Sequence, residues 1–418
     1  MLKNFMFYLV SFIYYFDHLV ICATYWFYLS EYLSTEFLIQ IYGFVLLCHE
    51  VLLRMTIELT LYKINEIFKF INPILLISSA LGILSNVVYF IQPPVELLIV
   101  TRIIHGISFV AINLLKESIF GYDNQTEKSN IVIYKRLIQS FSIICASIYV
   151  VLIQYVPVNK IVLTIQPTNI SGIVLSIMWL IYSIFLLCNI FQSCKSKDIT
   201  SIDEEFNEKR LLEFEADLHQ NNILSIFNLY YLFALLINLS TKFALNFVLA
   251  PLGALVFDLS MKHVSFTFLG LSSANFLVYF LLKIKSESIS NITKLIIMNF
   301  CVICGLISIA ISIAAKSYSI LEQAVTLIMF LFGYFIVNVA QSGSYLLLHN
   351  MVISDVTPLE KLIIVKMRRS FKFIGCIFGI LMGPVVIVWP SLSMGILALF
   401  WIGITVFSVI FYEISKKS

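Results

Sequence analysis

The chain has 418 residues, is 60% hydrophobic and 12% charged, and carries a formal net charge of +3. Soluble domains have about 45–50% apolar and about 25% charged residues, so this composition excludes a water-soluble enzyme, a nucleic-acid binder and a disordered scaffold.

Twelve apolar stretches follow one another at 5–29, 37–57, 70–91, 95–115, 137–158, 172–193, 223–249, 264–283, 293–315, 323–347, 368–389 and 391–412. Each can cross the ~30 Å hydrocarbon layer as a helix rising ~1.5 Å per residue. The first is longer than a signal-peptide core, contains Asp17 and His18, and lacks a small-residue cleavage site, so it reads as a retained helix. Connections are short except at 194–222, where four basic and eight acidic residues make a connector of net charge −4. Leu211, Phe214 and Leu218 recur there at helical spacing, as in a helix lying on the membrane surface. The expected organisation is an N-terminal six-helix bundle (1–193), a charged cytoplasmic linker (194–222) and a C-terminal six-helix bundle (223–418).

Orientation follows from the basic residues. With the N-terminus in the cytoplasm, 21 of the 27 Lys and Arg fall inside. Only Lys160, Lys262 and Lys316 fall outside, and Arg102, Lys242 and Lys372 lie within stretches. Both termini are therefore expected in the cytoplasm. The eight cysteines lie in apolar stretches or at the inner face, and no disulfide framework is implied. Asn169 opens an Asn-Ile-Ser sequon in an outer connection and is a glycosylation candidate. The fifth and eleventh stretches both open on a basic pair, Lys135-Arg136 and Arg368-Arg369, as parallel repeats would.

The fourth stretch contains Leu98, Arg102, His105, Gly106 and Ser108. This run resembles the fourth-helix motif Leu-x-x-x-Arg-x-x-Gln-Gly of the major facilitator superfamily, with His105 in place of Gln. Gly375, Gly379, Gly383 and Pro384 resemble the Gly-x-x-x-Gly-Pro element of its antiporter members, but stand in the eleventh stretch rather than the fifth. Of the family's loop between helices two and three, only Lys63 survives. A narrower reading is a branch similar to the lysosomal CLN7-like facilitators. The resemblance implies an all-α membrane protein with twelve transmembrane helices in two pseudo-symmetric six-helix bundles. It also implies a central cavity lined by helices one, four, seven and ten.

A charge in hydrocarbon costs about 2.5–3.5 kcal/mol on insertion scales, so such residues face a partner or a wet cavity. Asp17, His18, Glu50, Arg102, His105 and Lys242 are the substrate or coupling candidates. Asp17 and Arg102 equally suit a structural ion pair, and His18 suits a packing role. Gly106, Gly375, Gly379, Gly383 and Pro384 are read as packing or gating positions. No metal set, cofactor motif or nucleotide-binding segment is evident.

The expected function is a multi-pass secondary transporter that moves a small solute by alternating access, with proton coupling (symport) through Asp17. The expected partners are the solute, protons and the lipid bilayer. Nucleic acid is not one, and the chain is read as a monomer of the plasma or an endolysosomal membrane. The alternative is a non-transporting, facilitator-like receptor or scaffold. An intramembrane enzyme using His105 or His349 lacks a nucleophile partner, so enzymatic activity is not expected.

Overall fold

The computed structural model describes the chain except for residues 1, 32, 36, 46, 47, 49–70, 92, 93, 109–126, 156–168, 196–225, 285–290, 355–357 and 418. Among the described residues there are twelve helical segments and no strand. They are α1 (Leu2–Ser30), α2 (37–45), α3 (Ile71–Ile91), α4 (Val95–Ser108), α5 (Glu127–Ile153) and α6 (Ser171–Lys195). The second six are α7 (Ile226–Phe257), α8 (Met261–Ile284), α9 (Asn291–Ser317), α10 (Gln323–Ser354), α11 (Pro358–Val388) and α12 (Pro390–Lys417).

Helix is what apolar runs of this length must form in lipid, because only a helix satisfies every backbone N–H and C=O within its own segment. Pro358 and Pro390 stand at first positions, where a missing N–H costs nothing. Between α7 and α8 the chain turns at Asp258, whose φ of 56° is left-handed, and the next amide, of Leu259, bonds to Gly253 O at 2.9 Å. Among the described residues, nine helices are long and apolar enough to cross a membrane. The described parts of α2 and α4 are shorter than a span. α8 has full length at 24 residues, but His263, Ser265, Thr267, Ser272, Ser273 and Asn275 dilute its apolar character. One of these reaches another helix: Asn275 Nδ2 donates to Asn338 Oδ1 of α10 at 2.5 Å.

The helix pairings repeat with an offset of six. α1 packs on α5 and α6, and α3 on α4 and α6; correspondingly α7 packs on α11 and α12, and α9 on α10 and α12. Across the two sets, α5 packs on α8, and α1 on α7 and α8. Small residues let backbones approach where lipid offers no hydrophobic drive for helix association. A Cβ on Gly305 (α9) would lie 2.8 Å from Gly333 O (α10), and one on Gly333 would lie 2.8 Å from Gly305 O. Outward faces carry large apolar side chains, such as Leu152, Phe300, Ile328 and Leu399, each at least 60% exposed within the protein. That is the surface of an integral, multi-pass membrane protein whose outer solvent is hydrocarbon.

Candidate functional site

Four helices bring their buried stripes together in the first half of the chain. α1 contributes Ile13, Asp17, Val20 and Thr24; α4 contributes Leu98, Arg102, His105 and Ser108. α3 contributes Ser85, Asn86 and Tyr89, and α6 contributes Leu175, Trp179, Tyr182 and Leu186. Apart from the adjacent pair Ser85-Asn86, each set recurs at three- or four-residue steps, so each helix turns one face inward. On α4 the opposite face is apolar and exposed at Leu97, Val100 and Ile104.

Asp17 is fully buried at the meeting point. Its Oδ2 accepts hydrogen bonds from His105 Nε2 (2.9 Å), Trp179 Nε1 (2.9 Å) and Asn86 Nδ2 (3.1 Å). Its Oδ1 accepts none among the described residues. Arg102 reaches Asp17 through Asn86: Arg102 NH2 donates to Asn86 Oδ1 at 3.1 Å, and the same amide donates onward to the carboxylate. A further bond from Asn86 Nδ2 to Gly82 O, 3.0 Å long, fixes the amide orientation. The Arg102 guanidinium also lies 4.2 Å over the ring of Tyr89, whose hydroxyl meets Thr24 Oγ1 at 3.0 Å. The far side of the His105 ring meets two hydroxyls, with Ser85 Oγ 2.5 Å and Ser108 Oγ 3.3 Å from Nδ1. Trp179 is seated on Gly82, where a Cβ would lie 2.6 Å from the indole ring.

Chemically this is a buried carboxylate–imidazole pair with a guanidinium one amide away. Asp17 and Arg102 offset each other's charge, so the net charge of the group follows the protonation of His105. Asn86, Trp179, Ser85 and Ser108 complete the site without being ionisable; Ser108 stands in the fourth-stretch run read from the sequence, and the other three were not singled out there. The adjacent polar pair Ser85-Asn86 in an apolar stretch is the signal that could have found the first of them. Trp179 has no comparable signal in a chain with 36 Phe and 21 Tyr.

The other expected residues lie elsewhere. His18 is half-buried and stacks on Tyr14, ring centres 6.0 Å apart. Glu50 lies outside the described residues. Lys242 on α7 stands apart from Asp17, within electrostatic reach of Tyr279, Arg136 and Tyr345. Gly106 is buried beside His105. Gly375, Gly379 and Gly383 line the α7–α11 contact, where a Cβ would lie 2.9 Å from Leu236 O, 2.8 Å from Phe243 Cβ and 2.7 Å from Phe247 Cε1 respectively. Pro384 stands inside α11, with its Cγ 2.9 Å from where a Gly43 Cβ would be. Asn169 is 1% exposed, and its amide nitrogen, the atom a glycan would occupy, donates to Phe90 O at 3.1 Å. This conformation leaves no room for a glycan there. Among the described residues no group of His, Cys, Asp and Glu could hold a metal ion.

No protein-family model and no curated protein sequence matches the chain. Its fold does match solved structures. One is a D-xylose–proton symporter, with a TM-score of 0.67 at 16% identity, covering 97% of this chain and 96% of that one. Another is the human organic anion transporter MFSD10 (TETRAN), with a TM-score of 0.60 at 10% identity, covering 97% and 98%. Neither bears on the narrower CLN7-like resemblance. At these identities the likeness establishes the fold alone: over nearly its whole length, the chain is built as these two transporters are built.

Proposed function

We propose that the protein is a proton-coupled secondary transporter that carries a small solute by alternating access, with Asp17 and His105 as the proton-handling pair. The observation that carries the reading is the arrangement around His105, which is satisfied in either protonation state. Ser85 Oγ lies 3.1 Å from Gly82 O as well as 2.5 Å from His105 Nδ1, and a hydroxyl has one proton to give. With a neutral ring, Nε2–H donates to Asp17 and Nδ1 accepts the Ser85 proton. With a charged ring, Nδ1–H donates to Ser85 Oγ, whose proton turns to the Gly82 carbonyl. A proton can therefore come and go without orphaning a buried polar group, which would cost about 1–3 kcal/mol. Both residues are buried in this conformation, so loading needs another, as alternating access requires.

Further support comes from the whole-chain likeness to two transporters, one of them a proton symporter by name. Their named solutes are unlike, so the likeness selects no substrate. The six-helix offset in packing supports two bundles, 1–193 and 223–418, joined by the linker 194–222. The basic-residue bias supports cytoplasmic termini. We read the chain as a monomer of the plasma or an endolysosomal membrane.

Proteoliposome uptake of a mixed solute panel, read by mass spectrometry under an imposed pH gradient, tests this reading. Asp17→Asn and His105→Gln should keep exchange of labelled solute and lose accumulation driven by the gradient at least tenfold. Accumulation that persists in Asp17→Asn overturns the assignment of the pair. A wild type indifferent to the gradient points to uniport or sodium coupling, and one that moves no solute to a receptor or scaffold.

A further inference from the structure

α5 of the first half packs on α8 of the second, and among the described residues this is the most extensive contact between the two sets of helices. Each end of α5 also carries a tie from one half to the other. Near its start, Arg136 places its guanidinium 4.3 Å over the ring of Tyr345 on α10. Just beyond its end, the Tyr155 hydroxyl accepts a hydrogen bond of 2.5 Å from Lys262, at the start of α8. The 19 residues from Arg136 to Tyr155 are helical up to Ile153, and Tyr155 N bonds back to Leu152 O at 3.1 Å. At ~1.5 Å per residue the two ties stand about 28 Å apart, close to the ~30 Å of the hydrocarbon layer. They lie at opposite faces.

The ties differ in chemistry. Tyr345 is 8% exposed, and a cation over a ring gains strength where water is excluded. Arg136 NH1 donates to Gln139 Oε1 at 2.7 Å, one turn on, which orients the guanidinium for the ring. Lys372 lies 5.3 Å from the centre of the same ring, but it approaches from α11, so that contact stays within the second half. Tyr155 is 66% exposed, so the Lys262 bond forms in competition with water and contributes less. With both ties closed, Asp17, Arg102 and His105 are each no more than 2% exposed. Two bundles that rock along α5 and α8 open one face by breaking the tie at that face and keeping the other.

We infer that Arg136–Tyr345 and Lys262–Tyr155 are latches at opposite faces that together hold an occluded conformation, with Arg136–Tyr345 the stronger. The inference rests on the alternating-access reading above and gives it a resting state closed to both sides. The weaker latch yields first, so this conformation opens more readily at the Tyr155 face. Neither latch needs a solute in order to be tested.

Successive helices alternate in direction, so α3, α5 and α9 begin at the Arg136 face, whereas α1 and α9 end at the Tyr155 face. Exposed residues near these ends accept spin labels: Asn72→Cys with Asn291→Cys at the first face, Glu31→Cys with Tyr318→Cys at the second. The test uses the full chain in phosphatidylcholine nanodiscs, with its eight native cysteines replaced and the distances read by double electron–electron resonance. Arg136→Gln should raise the share of long Asn72–Asn291 distances at least about threefold and leave the other pair unchanged. Lys262→Gln should do the reverse. Before either substitution, the Glu31–Tyr318 pair should show the broader distribution, and a broader Asn72–Asn291 pair overturns the ranking. A latch whose variant leaves its own face unchanged, or lengthens both pairs alike, is overturned. So is the Arg136 latch if Lys372→Gln opens that face as far as Arg136→Gln does. If Arg136→Gln does not fold, Arg136→Lys is read instead; it keeps the charge, loses the planar stacking, and should give a smaller change at the same face. Solute uptake by the same variants in vesicles separates the two readings. Distances that follow the latches in a protein that moves no solute defeat the transporter and leave the latches, whereas uptake with distances blind to every variant does the reverse.

Discussion

Asp17 depends on donors that come from three different helices, and each is anchored by a second contact. Trp179 is held by its packing on Gly82, Asn86 by the Gly82 carbonyl and by Arg102, and His105 by two serines. The indole contact has a counterpart in the second half, where Trp401 Nε1 on α12 donates to Thr241 Oγ1 on α7 at 3.0 Å. In both cases the sixth helix of a set bonds to the first, but one acceptor is a carboxylate and the other a hydroxyl. Hydrogen bonds to charged groups contribute about 1.5–3 kcal/mol and neutral ones about 0.5–1.5 kcal/mol. Trp179→Phe keeps the ring and loses the donor, so it should destabilise the protein by about 1.5–3 kcal/mol. Trp401→Phe should cost roughly half as much. Thermal unfolding of both variants in one detergent compares them, and equal losses would mean that the Asp17 charge is not what Trp179 supports.

At the scale of elements, the α7–α11 contact is set by three glycines one turn apart. A methyl on Gly379 would meet Phe243 Cβ at 2.8 Å, whereas one on Gly403 of α12 would meet nothing within 4 Å. Gly379→Ala should therefore cost about 1–3 kcal/mol through overpacking. Gly403→Ala should be neutral or stabilise by up to about 1 kcal/mol, because alanine loses less backbone freedom in a helix. Unfolding temperatures measure both. The close packing at Gly375, Gly379 and Gly383 was legible because a three-glycine, four-residue repeat in an apolar stretch has few other uses. Asp17, Arg102 and His105 were legible because ionisable groups in apolar stretches are rare. Their connection through Asn86 and Trp179 was not, since it depends on α3 packing on α6, a pairing that chain order does not give. Arg136 read as an ordinary basic residue at a helix end, because the ring it covers lies 209 residues away on α10.

At the scale of the molecule, the two sets of helices also touch toward the face at which α1 ends and α2 begins. Near that face Tyr42 of α2 packs on Phe247 of α7 with ring centres 5.0 Å apart, and Gly43 lies against Pro384 of α11. Lys262, at the start of α8, donates to the Tyr155 hydroxyl just beyond α5 at 2.5 Å. If the bundles rock, these contacts must break once per cycle, because a solute cannot leave through a face at which α2 rests on α11. A covalent tie there should hold the protein in this conformation while leaving each bundle intact. Gly43→Cys with Pro384→Cys places the tie where a Gly43 Cβ would already be 2.9 Å from the Pro384 ring. In a background whose eight native cysteines are replaced by serine or alanine, oxidation of the pair should arrest uptake at least tenfold, and dithiothreitol should restore it. Full uptake by a protein shown by mass spectrometry to be cross-linked would mean that the α2–α11 contact does not open during transport. Uptake that oxidation arrests and reduction restores is the outcome expected of two bundles that alternate around one site.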